Sequence, residues 1–298
     1  MDPSRRIAGD VPTEPAAAAR FRLAAGESPI KSLSWGARVL YVGPGFELSP
    51  HSHAVGLICI CLDGEMEVLA GEALERGYGH VCRSVYIQPG AHHLIRFATS
   101  RIGCLFVDGV SDDPTRLVRA MRPQGDGLFV EHEREAVIAA TLRDFADGRI
   151  ERDRRKAVIA DAFGLSNPCS EGQDPRISTA VRRILENPDA PNRAATLAAE
   201  AGLSVSRFRR AFRDVTGVPL RRFRLWARIR GAMEAITAGA NLTEAAHDAG
   251  FSSSAHLSSA CRAMHGMTPS QFAGVARAFG QGGPLGASRR SLAGAPRP

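Results

Sequence analysis

Residues 195–217 read ATLAAEAGLSVSRFRRAFRDVTG, and the architecture of the chain can be worked outward from them. A short helix holds Leu197, Ala198 and Ala201. Gly202 follows, where a tight turn needs a left-handed backbone and two helices come close. Ser204 can cap a new helix from Val205 to about Val215. That helix sets Phe208, Ala211 and Phe212 on an inner face at i, i+3 and i+4. Arg207, Arg209, Arg210 and Arg213 fall on its other faces. A helix that is apolar inside and basic outside has the form needed to lie in a major groove. There arginine can grip phosphate or bond guanine O6 and N7 in a fork.

The pattern recurs at 242–267, LTEAAHDAGFSSSAHLSSACRAMHGM. Thr243–Asp248 forms the first helix, Gly250 the turn and Ser252 or Ser253 the cap, with Leu257 and Cys261 facing inward. Ala201-Gly202-Leu203-Ser204 answers to Ala249-Gly250-Phe251-Ser252. Gly217-Val218-Pro219 with Phe223 answers to Gly266-Met267-Thr268-Pro269 with Phe272. Between the two units, Pro219–Thr237 reads as a helix, with Pro219 in its first turn and Leu225, Ile229, Ala232 and Ile236 at helical spacing. Gly239 can end it. Arg221, Arg222, Arg224, Arg228 and Arg230 crowd its start. Such a connector would hold two recognition helices about one DNA turn apart, roughly 34 Å, so that they enter successive major grooves.

Charge points the same way. The chain carries a net charge of +7, and only Lys31 and Lys156 are lysines. Residues 176–275 hold 14 arginines against 7 carboxylates, so this segment accounts for the whole excess. A concentrated basic segment suits a polyanionic partner. The first twenty residues carry Asp2, Asp10 and Glu14 and lack the apolar core of a secretion signal. The longest apolar run, 54–62, is too short to cross a bilayer. The six cysteines show no disulfide-framework spacing, which fits reduced thiols in a cytoplasmic protein.

On these residues, 176–275 resembles the DNA-binding domain of AraC/XylS regulators. The most specific match is Ala249-Gly250-Phe251-Ser252-Ser253 followed by Gly266-Met267-Thr268-Pro269-Ser270-Gln271-Phe272. The resemblance implies a seven-helix domain whose two recognition helices contact adjacent major grooves. By position, Ser206, Arg209 and Arg210 match the family's base-reading sites in the first unit, and Ser254, Ala255, His256 and Ser259 those in the second. With flanking contacts, the expected DNA-facing set is Ser204, Ser206, Arg207, Arg209, Arg210, Arg213, Ser253, Ser254, Ala255, His256, Ser259 and Arg262. The second recognition helix departs from the family: it offers Ser254, Ala255, Ser258 and Ser259 where longer polar side chains are common, and Cys261 where Phe is usual. Weaker base reading by the second unit is therefore expected.

The N-terminal part reads differently. Val39–Val42, Leu57–Leu62, Glu65–Leu69, Val81–Ile87 and Ile102–Val107 are short apolar runs separated by Gly, Pro and Asp turns, as in a β-sandwich or barrel. The motif Pro50-His51-Ser52-His53 and the later Gln88-Pro89-Gly90-Ala91-His92-His93 resemble a cupin barrel, the usual sensory domain of this family. Alternation on a strand would put His51 and His53 on one face. By the resemblance, His51, His53 and His93 would be ligands of a divalent transition metal, as neutral imidazoles bind Zn, Cu, Ni or Fe. The cupin pattern also expects a Glu where this chain has Leu57 or Ile58. Three uses of the histidines stay open: a metal site, an organic-effector pocket, or structural hydrogen bonds. Cys59, Cys61, Cys82 and Cys104 could sense redox state, but buried cysteine more commonly serves as a small hydrophobe.

The expected fold is α+β: a flexible leader (1–20), a cupin-like β-barrel (21–115), and a helical segment (116–165) that joins subunits or packs on the barrel. A linker (166–175), an all-α double helix-turn-helix domain with a long connecting helix (176–276) and a disordered tail (277–298) follow. Within the helical segment, Ile138, Leu142 and Phe145 share one helix face in 131–146, and 156–163 reads as a second helix. The expected function is sequence-specific transcription regulation controlled by an effector in the barrel, with no catalytic residues. Implied partners are double-stranded promoter DNA, an effector, a second copy of the chain and RNA polymerase, with no membrane. The alternative is a metal-dependent cupin enzyme with a nucleic-acid-binding C-terminal domain. It is disfavoured by the missing Glu and the lack of a nucleophile–base pair. RNA binding suits two spaced helix-turn-helix units poorly, since the A-form major groove is too narrow to be read.

Overall fold

The computed structural model describes residues 30–273 except 37, 100, 166–173 and 192. The expected leader and tail, and most of the expected linker, lie outside the described residues. The N-terminal part contains β1 (Lys31–Trp35), β2 (Arg38–Pro44), β3 (Gly56–Cys61), β4 (Glu65–Ala70), α1 (Glu72–Arg76), β5 (His80–Cys82), β6 (Ser84–Ile87), β7 (His93–Ala98) and β8 (Arg101–Val107). Then come α2 (Asp113–Arg119), β9 (Arg122–Gly125), β10 (Leu128–Val130), α3 (Glu135–Ala146) and α4 (Arg155–Ala162). The C-terminal part is helical: α5 (Pro175–Glu186), α6 (Ala194–Glu200), α7 (Val205–Thr216), α8 (Leu220–Thr237), α9 (Leu242–Asp248) and α10 (Ser254–His265).

The strands form two antiparallel sheets, one in the order β1-β2-β8-β3-β6-β10-β9 and one in the order β5-β4-β7. Leu57, Cys59, Met66, Val68 and Ile95 fill the space between them. The opposite face of the large sheet, with Leu40, Ile58, Ile60 and Leu105, is covered by Ile138, Leu142 and Phe145 of α3, Ile159 of α4 and Phe163 beyond it. Covering on both faces explains why β3 reads as one continuous apolar run instead of alternating. It also decides what the apolar stripe of α3 does: it packs on the sheet.

Three local expectations are corrected. The run Val81–Ile87 is not one strand. It breaks at Arg83, where the chain passes from the small sheet (β5 on β4) to the large one (β6 on β3). The Arg83 guanidinium donates to the carbonyls of Cys61 and Leu62, which fixes the crossing. Second, His51 and His53 do not lie on a regular strand. His51 forms an isolated two-bond bridge with His93 (2.9 Å each way), and Pro50, without an N–H, precedes it. Third, Pro219 is the extended N-cap residue of α8 (φ −61°, ψ 144°), and Leu220 is the first helical residue.

In the helical part, α6 and α7 turn on Gly202 (φ 64°), and α9 and α10 on Gly250 (φ 74°). The backbone N–H of Arg207 donates to Ser204 Oγ, and that of His256 to Ser253 Oγ, so Ser253 is the second cap. Asn241 and Glu244 form a reciprocal capping box at the start of α9. Asn241→Ala is expected to lower unfolding free energy by about 0.5–2 kcal/mol, read as an earlier urea midpoint with unchanged slope. The connector α8 buries Phe223, Trp226, Ala227, Ile229 and Ala232, while the expected Leu225 and Ile236 are half-buried. Its inward face is broad because both helix-turn-helix units pack on it. Ala54 and Val55 of the N-terminal part belong to the same apolar cluster, so the two parts share a continuous interface.

Candidate nucleic-acid interface and histidine cluster

The structure sorts the arginines by use. Arg207, Arg209, Arg210 and Arg213 stand exposed on α7, with Ser204 and Ser206 beside them, while Phe208 and Phe212 are fully buried beneath. Several arginines of α8 are engaged inside the molecule. Arg228 lies over the Phe251 ring (4.3 Å to its centre) and donates from Nε to Ala249 O at 2.7 Å. Arg230 pairs with Glu234 (2.9 Å), and Arg222 donates to the Ser52 carbonyl at 2.6 Å. Of the two recognition helices, α7 therefore offers most of the charge to a polyanion.

On α10, Ala255, His256, Ser259 and Arg262 are exposed with Ser253, and Ser254 is half-buried. His256 is held in place, its ring edge-on to Phe251 (5.2 Å) and its Nδ1 3.1 Å from Ser252 Oγ. Ser258 turns back to donate to Ser254 O at 2.8 Å, which spends its hydroxyl within the helix. The exposed face of α10 thus carries one cation, Arg262, against four on α7.

His51, His53 and His93 come together at the mouth of the two-sheet domain, all three buried, with candidate ligand atoms within 4.8 Å of one another. Ring centres are 4.7 Å (His51–His53), 4.4 Å (His51–His93) and 5.2 Å (His53–His93) apart. His51 Nδ1 is 2.7 Å from Ser49 O, and His93 Nδ1 is 3.0 Å from Ala91 O. A carbonyl accepts only from an N–H, so these contacts assign the protons to Nδ1 and leave both Nε2 atoms as lone pairs. His51 Nε2 lies 3.1 Å from His53 Nε2, while His93 Nε2 and His53 Nδ1 are buried without a hydrogen-bond partner. Burial lowers the pKa of His51 to about 4 and of His93 to about 3, and holds His53 well below the usual range. The three rings are neutral donors at neutral pH.

The two expected glutamate positions lie elsewhere. Leu57 packs between the sheets and Ile58 on the far face of the large sheet. What the sequence did not disclose is that helix-turn-helix residues close the mouth. Ser49 N donates to Gly266 O (2.9 Å), and a Cβ on Gly266 would come within 2.6 Å of His51 Nδ1. The His265 ring lies 5.3 Å from His53 and 5.8 Å, edge-on, from Phe106. Burial pushes its pKa down to about 3. Phe272 joins Tyr41 and Phe46 in a ring cluster. In the first unit, Gly217 abuts Pro89, and a Cβ on Gly109 would strike the Val215 carbonyl.

The cysteines line the interior. Cys59 and Cys104 face each other with sulfurs 3.1 Å apart. Burial raises Cys61 and Cys82 to about 12 and Cys59 well above its ordinary value, so these thiols stay protonated and unreactive.

Two capped helix pairs that turn on left-handed glycines and are joined by one long helix make the C-terminal part a tandem helix-turn-helix domain. Residues 197–274 match the family described as "Helix-turn-helix domain", and this segment is an AraC-type helix-turn-helix domain. No curated protein sequence matches the chain. Among solved structures, ToxT from Vibrio cholerae O395 is similar over 80% of this chain and 98% of its own, at 12% identity and a TM-score of 0.53. Wild-type ToxT from Vibrio cholerae strain SCE256, bound to an unsaturated fatty acid, is similar over 83% and 96%, at 12% identity and a TM-score of 0.51. The shared feature is the fold, an antiparallel sheet-rich N-terminal domain followed by a helical helix-turn-helix region.

Proposed function

We propose that this protein is an AraC-type transcription regulator that binds double-stranded promoter DNA through α7 and α10. The binding is governed by an effector at the mouth of the sheet-rich domain. One observation carries the reading: nearly all the side chains placed to read DNA are exposed on the two recognition helices, while the C-terminal ends of those same helices seat on the sheet-rich domain, that of α10 at the histidine mouth and that of α7 at Pro89. An effector there acts on both reading heads by favouring one arrangement of the two parts over another.

Within this reading, Ser204, Ser206, Arg207, Arg209, Arg210 and Arg213 serve the first unit. Ser253, Ser254, Ala255, His256, Ser259 and Arg262 serve the second. Affinity comes from phosphate contacts and specificity from base edges. The solved ToxT with bound fatty acid is a protein of similar fold that holds a ligand. In this chain apolar side chains fill the space between the sheets, and the polar donors gather at the mouth. That placement favours a compact effector bound by imidazole, with His51, His53 and His93 as a transition-metal triad. The residues hold and orient and perform no catalysis. The described helices include none long and apolar enough to cross a membrane, in keeping with action on DNA in the cytoplasm. The outward faces of α3 and α4, where Val137 is exposed, are the proposed contact with a second copy, and RNA polymerase is a further partner.

Mobility-shift assays with genomic promoter fragments over a salt series test the regulator reading. Selective retardation of a few fragments that weakens steeply with salt is expected. Equal affinity for promoter and random fragments at every salt concentration would overturn it.

A further inference from the structure

We propose that His265, at the last turn of the second recognition helix, is the fourth ligand of a transition-metal ion held by His51, His53 and His93, so that the ion clasps the DNA-binding domain to the sensor. The inference rests on reading the barrel mouth as the effector site, and it adds the residue that couples that site to DNA binding.

The spacings of the three sensor histidines fit tetrahedral ligation, and His265, on the opposing domain, lies beside one of them. A metal–nitrogen bond of ~2.0–2.1 Å, with the ring centre about 1 Å further on, puts neighbouring imidazole centres about 5 Å apart in tetrahedral ligation. The centres of His51, His53 and His93 are 4.4–5.2 Å apart, and His265 lies 5.3 Å from His53. His265 stands outside the triad whose ligand atoms already converge. Ligation by His265 therefore requires its side chain to rotate toward the triad while the backbone beside it stays fixed. Gly266 is pressed against His51, and its carbonyl accepts from Ser49 N. The sensor offers no carboxylate at the position a cupin would use, and the end of α10 lies against the triad at His51 and His53. The carbonyl end of α10, a helix of 12 residues, points its partial negative charge at the same place.

The donor set selects the ion. Imidazole nitrogens suit late first-row divalent ions such as zinc, nickel and copper, whereas magnesium and calcium demand oxygen. Arg222, tied to the carbonyl of Ser52, sets a fixed cation beside the site. His51 and His93 are already oriented by the carbonyls that accept from their Nδ1–H groups, the usual outer support of metal-bound histidine. An ion held by four ligands in the docked arrangement and three in the undocked one favours docking by the ratio of its two affinities.

The test uses the full-length chain stripped by chelator. Zn2+ is titrated against a chromophoric competitor, and Co2+ is followed by visible absorption. Wild type is expected to take up one ion per chain with the intense bands of four-coordinate Co2+. His265→Ala and His265→Gln should each weaken Zn2+ binding about 5- to 150-fold and shift the Co2+ bands, and His51→Ala/His93→Ala should abolish uptake. If both His265 variants bind with wild-type affinity and spectrum, the clasp is overturned and the three-histidine site stands. If wild type takes up neither ion, the metal site falls and the clasp with it, while the mobility-shift result still decides the regulator reading. Melting curves of the stripped proteins identify any variant that fails to fold, and the Gln variant, closer in volume, then decides.

Discussion

Arg38→Ala is expected to lower unfolding free energy by about 3–5 kcal/mol, the cost of breaking a buried ion pair by removing one partner. Arg38 Nε donates to Asp113 Oδ2 at 2.6 Å and Nη2 to Oδ1 at 2.9 Å, and the two side chains are 6% and 0% exposed. The pair ties β2 to the start of α2 across 75 residues. Asp108 is also buried, and its pKa is raised to about 6 by burial first and by the neighbouring Asp113 charge among lesser causes, while Arg38 lowers it. Removing the guanidinium therefore takes a nearby cation from two buried carboxyl groups. Replacing both partners, Arg38→Met with Asp113→Leu, should recover most of the loss, because two apolar side chains carry no desolvation cost. Urea unfolding of the three proteins checks this. A single variant within 1 kcal/mol of wild type, an amount typical of an exposed pair, would mean that the pair contributes only as a surface contact does.

Arg209→Ala/Arg210→Ala is expected to reduce affinity for a selected promoter site by about 30-fold to more than 1,000-fold, taking ~1–3 kcal/mol for each well-formed base contact. Both arginines are exposed on α7, so the fold should survive, with an unchanged melting temperature. His256→Ala/Arg262→Ala on α10 should lose less, because that face carries a single cation and Ser258 spends its hydroxyl on Ser254 O. Fluorescence anisotropy against selected and scrambled sites separates the two. Equal losses of specificity from both helices would show that the units read DNA with equal weight.

The helical half was legible because its information is local. A left-handed glycine, a serine cap and an apolar i, i+3, i+4 stripe lie within a dozen residues of one another, and the repeat states them twice. The members of the histidine triad were named through the cupin resemblance of the two histidine motifs, and the structure brings the three rings together. The route to it was not legible, since His51 reaches His93 through one isolated bridge. The strand β9 (Arg122–Gly125) is exposed throughout and contains Pro123, so it has no alternation to read. The split of β5 from β6 is invisible in an unbroken apolar run, because sheet membership there depends on where Arg83 finds carbonyls. The domain contact was hidden most completely. Arg222 and Ser52 are 170 residues apart. His265 reads locally as a last-turn residue suited to a helix carboxyl end, and nothing in its neighbourhood announces a second use.

The sensor meets the two repeats at matching places. Gly217 and Gly266, the left-handed residues that end α7 and α10, abut Pro89 and His51. Duplication has thus supplied one handle per reading head, and one sheet-rich domain touches both. On DNA the grip behaves as a gauge of helical phase. Each base pair inserted between two half-sites turns one relative to the other by about 36°. A protein held at both handles accepts one phase, and a protein whose sensor has let go is limited only by the bending of α8. Tolerance of spacer length would then report which of the two states occupies a promoter.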